Sequence, residues 1–371
     1  MMVKRNNQYN PNYAIVPGMV LEEYLESINM SQSELSLRTS LSKKTINEII
    51  QGKNPITPTT ALKFEKVLGR PANFWNNLEI NYQEDKARAE ERASLVADLE
   101  WLSHIPTKEL LDRGCIQPVT KGDKIALLQV TLSFFGVASV NAWKKQWEHP
   151  AIAARCSQTS ITNYYVLASW VRQGEIQASR LKLNPFNRDV FEQVLKEIRN
   201  FTSNSPEEFT IKMRELCAAS GVAVAFVPEM KKAPWNGATK WISPHKALII
   251  LSLRGKSEDK FWFTFFHEAY HVLKGEGKTK LYINSGQMEN ESDRRANEFA
   301  SSFLIPKMYH QRLIKLKSYN ELKQLAHELN ISQGIVAGQV QYLTNRFDVF
   351  HRAIRKFEWE TYNCHPSSIP S

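Results

Sequence analysis

Within the apolar run FWFTFFHEAYHVLKG, His267 and His271 stand four residues apart. On a helix that spacing sets both imidazoles on one face, where they can share a single ion. Glu268 lies beside them. In an H-E-x-x-H arrangement the glutamate does not bind the ion but acts as general base toward an attacking water, whose acidity the Lewis-acidic ion raises. Two helix histidines alone do not make a metal site, so a third ligand is required. Downstream, ESDRRANEFASSFLIP offers Glu291, Asp293 and Glu298 on a second helix. Two imidazoles and one carboxylate would hold one Zn2+ per chain and leave its fourth position open for water or substrate. The chemistry expected of such a site is metal-assisted hydrolysis of a peptide bond.

A second chemistry is legible near the N-terminus, in MSQSELSLRTSLSKKTINEIIQG. Ser31 with Glu34 three residues on is a capping-box pattern, a break follows at Thr39 and Ser40, and Ser42 is a second N-cap. Two short helices joined by a tight turn result. Ile46, Ile49 and Ile50 share one face of the second helix, which leaves Lys43, Lys44, Thr45, Asn47 and Gln51 outward or flanking. Lysines neutralise phosphates or reach guanine acceptors, and Asn and Gln pair with adenine edges in a major groove. Gln32, opening the first helix, would sit near a phosphate. The alternative is a helical hairpin that contacts protein, and Ser40 favours it slightly because such turns often carry Gly.

The elements that must position these residues follow from periodicity and punctuation. Gly18 to about Leu78 reads as four or five short helices, and Asn81 to Leu102, charged and without Gly or Pro, as one long helix. From Ile105 to Gly221 helices are expected over Asp123–Phe135, Asn163–Arg172, Asp189–Asn200 and Pro206–Ser220. The aromatics Trp143, Trp147, Tyr164, Tyr165 and Trp170 are read as packing rather than as a ligand surface. The texture then changes: VAVAFVP, ATKWIS and KALIILSL are three strands of a small sheet. A helix from Glu258 to Lys274 and another from Glu291 to Leu304 follow, with a stop at Pro306. GATKW is open to two readings, a structural strand or an exposed edge that holds an extended peptide. Tyr270 points away from the ion by helical phase.

The 371 residues, 42% hydrophobic, exceed one domain. The fold class expected is a mainly α helix-turn-helix domain (1–82), a helical linker or scaffold (83–215), an α+β zincin-like domain (216–350) and a C-terminal tail (351–371), whose end TYNCHPSSIPS is expected to be loosely ordered. Net charge is +10, but the first 80 residues hold nine Lys plus Arg against seven Glu, so charge alone does not argue for DNA. No stretch reads as 18 uncharged apolar residues and no secretory signal is seen, so a cytoplasmic protein without a membrane partner is expected. Cys115, Cys156, Cys217 and Cys364 form no CxxC pair and suggest neither disulfides nor a thiolate site. The other seven histidines have no partner at ligand spacing.

Two resemblances add to these readings. AIVPGMVLEEYLESINMSQSELSLRTSLSKKTINEIIQGKNPITPTTALKFEKVLGRPANFWNNLEINY, with its KNPITPTTALKFEKVLG block and Phe74-Trp75 pair, resembles HigA-type antitoxins of the lambda-repressor-like class. That resemblance implies a homodimer on an inverted-repeat operator in its own promoter, and neutralisation of a cognate toxin. HEAYH followed by DRRANEFASSFLIP, extended from GVAVAFVPEM to ISQGIVAGQVQ, resembles the ImmA/IrrE peptidase-like domain. In that family a glutamate three residues before Ala-Asn supplies the third ligand, a position held here by Asp293, one methylene shorter. The implied substrate is a repressor or toxin protein. A non-enzymatic antitoxin with a structural or sensory metal site is the alternative.

Overall fold

The computed structural model describes residues 15–147, 161–231, 233, 235–276, 282–284 and 291–359, with the side chains of 161–163 and 282–284 outside the description. The chain divides after Asp98 into two compact units.

The first unit is helical: α1 (Pro17–Ser27), α2 (Gln32–Thr39), α3 (Lys43–Ile50), α4 (Pro58–Leu68) and α5 (Ala72–Leu95). Side-chain caps start three of them: Ser31, Ser42 and Thr57 each accept a hydrogen bond from a backbone N–H three residues on. The capping box at α2 is only half made, since the Glu34 carboxylate turns to Arg38. Leu21, Leu35, Ile46, Ile49, Phe64 and Trp75 close the core. Gly18 lets α1 touch the end of α3, where an added Cβ would lie 2.1 Å from the Ile49 carbonyl oxygen. The long helix begins nine residues before the expected Asn81, because Trp75 anchors its first turns in this core, and it stops at Leu95 rather than Leu102. Its later turns are polar all round and carry side-chain pairs such as Glu84 with Arg88.

The second unit opens with α6 (Leu99–Leu102), α7 (Thr107–Asp112), α8 (Lys124–Phe135), α9 (Val140–Trp147), α10 (Ile161–Ser179), α11 (Arg188–Arg199) and α12 (Pro206–Ala219). Lys124–Trp147 is, against the sequence expectation, apolar enough over 18 residues to pass for a membrane span by length and composition. The helical geometry breaks between Phe135 and Val140, and Leu128, Phe135, Trp143 and Trp147 are buried inside the unit, as the core helices of a soluble fold also are. Trp143, Trp147, Tyr164, Tyr165 and Trp170 are all buried, so the packing reading describes them.

The strands β1 (Val222–Phe226), β2 (Gly237–Ser243), β3 (Lys246–Leu251) and β4 (Tyr282–Asn284) form one sheet in the order β1-β3-β2-β4. β1 and β3 are parallel, and β2 is antiparallel to both β3 and β4. α10 packs on β1 and β3. On the other face, α13 (Glu258–Leu273) packs on β2 and β3 and pairs with α14 (Glu291–Leu304). With both faces covered, the unbroken apolar run of β3 needs no polar alternation. Pairing Ala238 with Ile250 and Thr239 with Ile249 sends Gly237, Thr239 and Trp241 toward α13 and Ala238 toward α10.

The site helix is fixed at both ends. Trp262, Phe265 and Phe266 bury it in the main core at about 2–3 kcal/mol per side chain. At its start, fully buried Glu258 accepts from Ser332 Oγ (2.7 Å) and from Arg355 Nε (2.7 Å) and N (2.8 Å). The closing helices α15 (His310–Ile314), α16 (Tyr319–Leu329) and α17 (Gln333–Thr344) complete this side, with α17 against α13. The tail from residue 360 lies outside the described residues.

Candidate functional site

His267 and His271 project from one face of α13, their Nε2 atoms 3.2 Å apart. His267 Nδ1 meets Asn297 Oδ1 at 2.8 Å, and His271 Nδ1 meets Glu276 Oε2 at 2.6 Å. An oxygen acceptor on each Nδ1 places the proton there and turns the Nε2 lone pairs toward each other. Two lone pairs at that distance repel unless a cation lies between them. Burial, and next the neighbouring His271, pull the His267 pKa down to about 4 against a smaller upward pull from Asn297, so the ring is neutral at pH 7.

Asp293, from α14, completes the group. Its Oδ1 is 3.6 Å from His271 Nε2, and one ligand atom from each of the three residues falls within 4.8 Å of the others. A tetrahedral ion with Zn–N bonds of about 2.0–2.1 Å separates its nitrogen ligands by about 3.3–3.4 Å, so the donor set fits Zn2+. The other two carboxylates do not reach it. Glu291 is exposed and paired with Arg294 and Arg295, whose guanidiniums hold its carboxyl below the usual range, and Glu298 is exposed.

Glu268 is buried beside the pair, and its Oε2 accepts from Thr239 Oγ1 at 2.7 Å. A Cβ at Gly237 would lie 2.8 Å from Glu268 Cγ and 2.9 Å from Oε1, so the carboxylate occupies the space that glycine leaves. Trp241 Nε1 donates to the Glu276 backbone oxygen at 2.7 Å, and Ser292 Oγ donates to Glu276 Oε2 at 2.6 Å. One face of β2 therefore sets Glu268 through Gly237 and Thr239, and anchors through Trp241 the residue that orients His271. The strand alternation of GATKW carried this signal, as did the four-residue step from Asp293 to Asn297. Glu276 lies beyond the helix end, where no period points to it. The outer edge of β2 from Gly237 to Thr239 is paired with β4.

Tyr270 packs on Phe299, ring centroids 5.5 Å apart. Of the remaining histidines, His104 stacks on Tyr165 and His351 Nδ1 contacts the Asp348 oxygen. His149, His365, Cys156 and Cys364 lie outside the described residues. Cys217 is a buried thiol whose pKa burial pushes far up.

In the first unit, Ile46, Ile49 and Ile50 are buried, while Ser42, Lys43, Lys44, Asn47 and Gln51 are exposed. Ser42 and Thr45 spend hydrogen-bonding capacity on the helix start, with Ser42 Oγ accepting from Thr45 N and lying 2.7 Å from its hydroxyl. Gln51 Nε2 reaches Asn47 Oδ1 at 3.3 Å, and Lys44 lies 3.8 Å from Glu48. Gln32, at the start of α2, is half-buried. Ser40 takes the left-handed backbone, φ 56°, that the turn requires.

Two family models match: a helix-turn-helix family over residues 21–75, and the IrrE N-terminal-like domain family over residues 220–339. Virulence-associated protein I of Dichelobacter nodosus is 37% identical over 70 residues, 19% of this chain and 65% of that protein. YddM, an uncharacterized helix-turn-helix-type transcriptional regulator of Escherichia coli (strain K12), is 30% identical over 63 residues, 17% of this chain and 67% of that protein. The chain thus spans about two thirds of the length of each. A solved addiction module antidote protein of the HigA family from Coxiella burnetii is 28% identical, covering 23% of this chain and 92% of that one, with a TM-score of 0.21. The chain therefore belongs to the helix-turn-helix proteins of transcriptional-regulator type, and carries a peptidase-like domain of the IrrE family in its C-terminal half.

Proposed function

We propose that the protein is an operator-binding regulator of the antitoxin class whose C-terminal domain is a zinc-dependent endopeptidase acting on a partner protein. The observation that carries the second half is the convergence of His267, His271 and Asp293, with both Nδ1 atoms held by oxygen acceptors. Bound there, Zn2+ supplies Lewis acidity to the hydrolysis. Glu268 takes the proton of the attacking water at its carboxylate and returns it to the leaving amine. Thr239 fixes that carboxylate, and Glu276 and Asn297 fix the ligand rings.

The DNA half rests on α3. Lys43, Lys44 and Asn47 form its exposed face with Gln51 just beyond its end, Ser42 and Thr45 lie at its start, and Gln32, at the start of α2, would contact a phosphate. Such a reader works as a homodimer on an inverted repeat, in the cytoplasm, and the regulator class adds a cognate toxin as the protein partner. A variant with Lys43, Lys44 and Asn47 all replaced by Ala keeps the Ile face and the fold. It should lose sequence-specific binding to double-stranded DNA from its own promoter in fluorescence anisotropy; retained specificity overturns the assignment.

One observation favours a non-enzymatic reading of the second domain. β4 already pairs with the β2 edge beside Glu268, where an extended substrate strand would add. Glu268→Gln separates the readings: it leaves metal content unchanged in both, and ends cleavage of a co-purified partner only in the first.

A further inference from the structure

α11, α13 and α14 enclose an open cavity of about 230 Å³ on the flank of the two metal-site helices. Its apolar wall is mostly aromatic, with Leu195 and Leu273 beside the rings. Tyr270 lies 5.5 Å from Phe299, which lies 5.3 Å from Phe303, and both phenylalanines remain half-buried rather than sealed in the core. The rim is cationic: Arg188, Lys196 and Lys274 face a single carboxylate, Glu192, which Arg188 already holds at 3.1 Å. Lys196 meets only the Gln193 amide, and Lys274 lies 5.5 Å from the Tyr270 ring centre, so neither has an acidic partner among the described residues.

We infer that this cavity is a binding site for a small aromatic carboxylate. Benzene fills an apolar cavity of about 150 Å³, so this one takes a single ring with a short acid arm. The ring would stack on Phe299 and Phe303, and the carboxylate would meet the exposed Lys196 and Lys274 at the rim, where a charge-assisted contact is stronger than a neutral one. Tyr270 precedes the ligand residue His271, and Phe299 lies two residues beyond Asn297. Occupancy would therefore press on both helices of the metal centre, although binding itself does not depend on a metal being present.

The test is calorimetric titration of the full chain with phenylacetate and with 2-phenylacetamide, its uncharged analogue of the same shape. Phenylacetate should bind at one site, on the order of tenfold more tightly than the amide. The double variant Lys196→Glu and Lys274→Glu, both at exposed positions, should lose that preference while its circular dichroism and melting curve stay those of the parent. Equal affinity for acid and amide, no binding of either, or an acid preference that survives the double variant overturns the assignment. Binding of an acetylated Asp-Phe amide without binding of phenylacetate also overturns it, and makes the cavity a peptide-docking surface.

Discussion

At the scale of single residues, the metal ligands depend on neighbours that are not ligands. Glu276→Ala removes the acceptor from His271 Nδ1 and should weaken zinc affinity by roughly 10–100-fold in a chelator competition, with Asn297→Ala acting similarly through His267. Unchanged affinity in both variants would refute the orienting role. The metal-free protein has its own pH signature. The folded pKa of His267 is about 4 against an ordinary 6.5, so between these values the unfolded chain binds a proton that the native ring refuses. Stability should therefore fall as pH drops from about 6.5 toward 4, with no contribution from this group above that window. Urea melts of metal-free protein from pH 7.5 to 4.5 should show a steeper fall than in His267→Ala. Cys217 should react with iodoacetamide only after unfolding, as peptide mass spectrometry would record.

At the scale of elements, strain and burial make separate predictions. Ser40 holds a left-handed conformation that costs a non-glycine residue about 1 kcal/mol, so Ser40→Gly should stabilise the first unit by up to about that amount in denaturant melts. Arg355→Ala removes the guanidinium and leaves buried Glu258 with only Ser332 Oγ and the backbone N–H of residue 355 as donors, which should destabilise the second unit by roughly 2 kcal/mol. A loss under about 1 kcal/mol would mean that the carboxylate finds water instead. The helices that carry chemistry were legible in the sequence because local signals set them: Ser31 and Ser42 as caps, the Ile46, Ile49 and Ile50 face, and the four-residue step of the histidines. What escaped depended on tertiary packing. The start of α5 is set by Trp75 docking in the core, and the role of Thr239 by a helix 29 residues away in sequence. The capacity of Lys124–Trp147 to pass for a span was not legible because Gln129, Thr131, Ser133, Ser139 and Asn141 interrupt its apolar residues, although no charge stands between Ile125 and Ala142.

At the scale of the molecule, two units carry two chemistries, and each has its own readout. Phosphate contacts by Lys43 and Lys44 predict that affinity for the operator falls with salt, and that replacing either lysine lowers the salt slope by about one. The central claim is the metal centre, and metal analysis of protein purified without chelator or added metal tests it most directly, run beside His267→Ala and Asp293→Ala. The account predicts about one zinc per chain in the parent and little in either variant. Absence of zinc from the parent, or full zinc in Asp293→Ala, would contradict it.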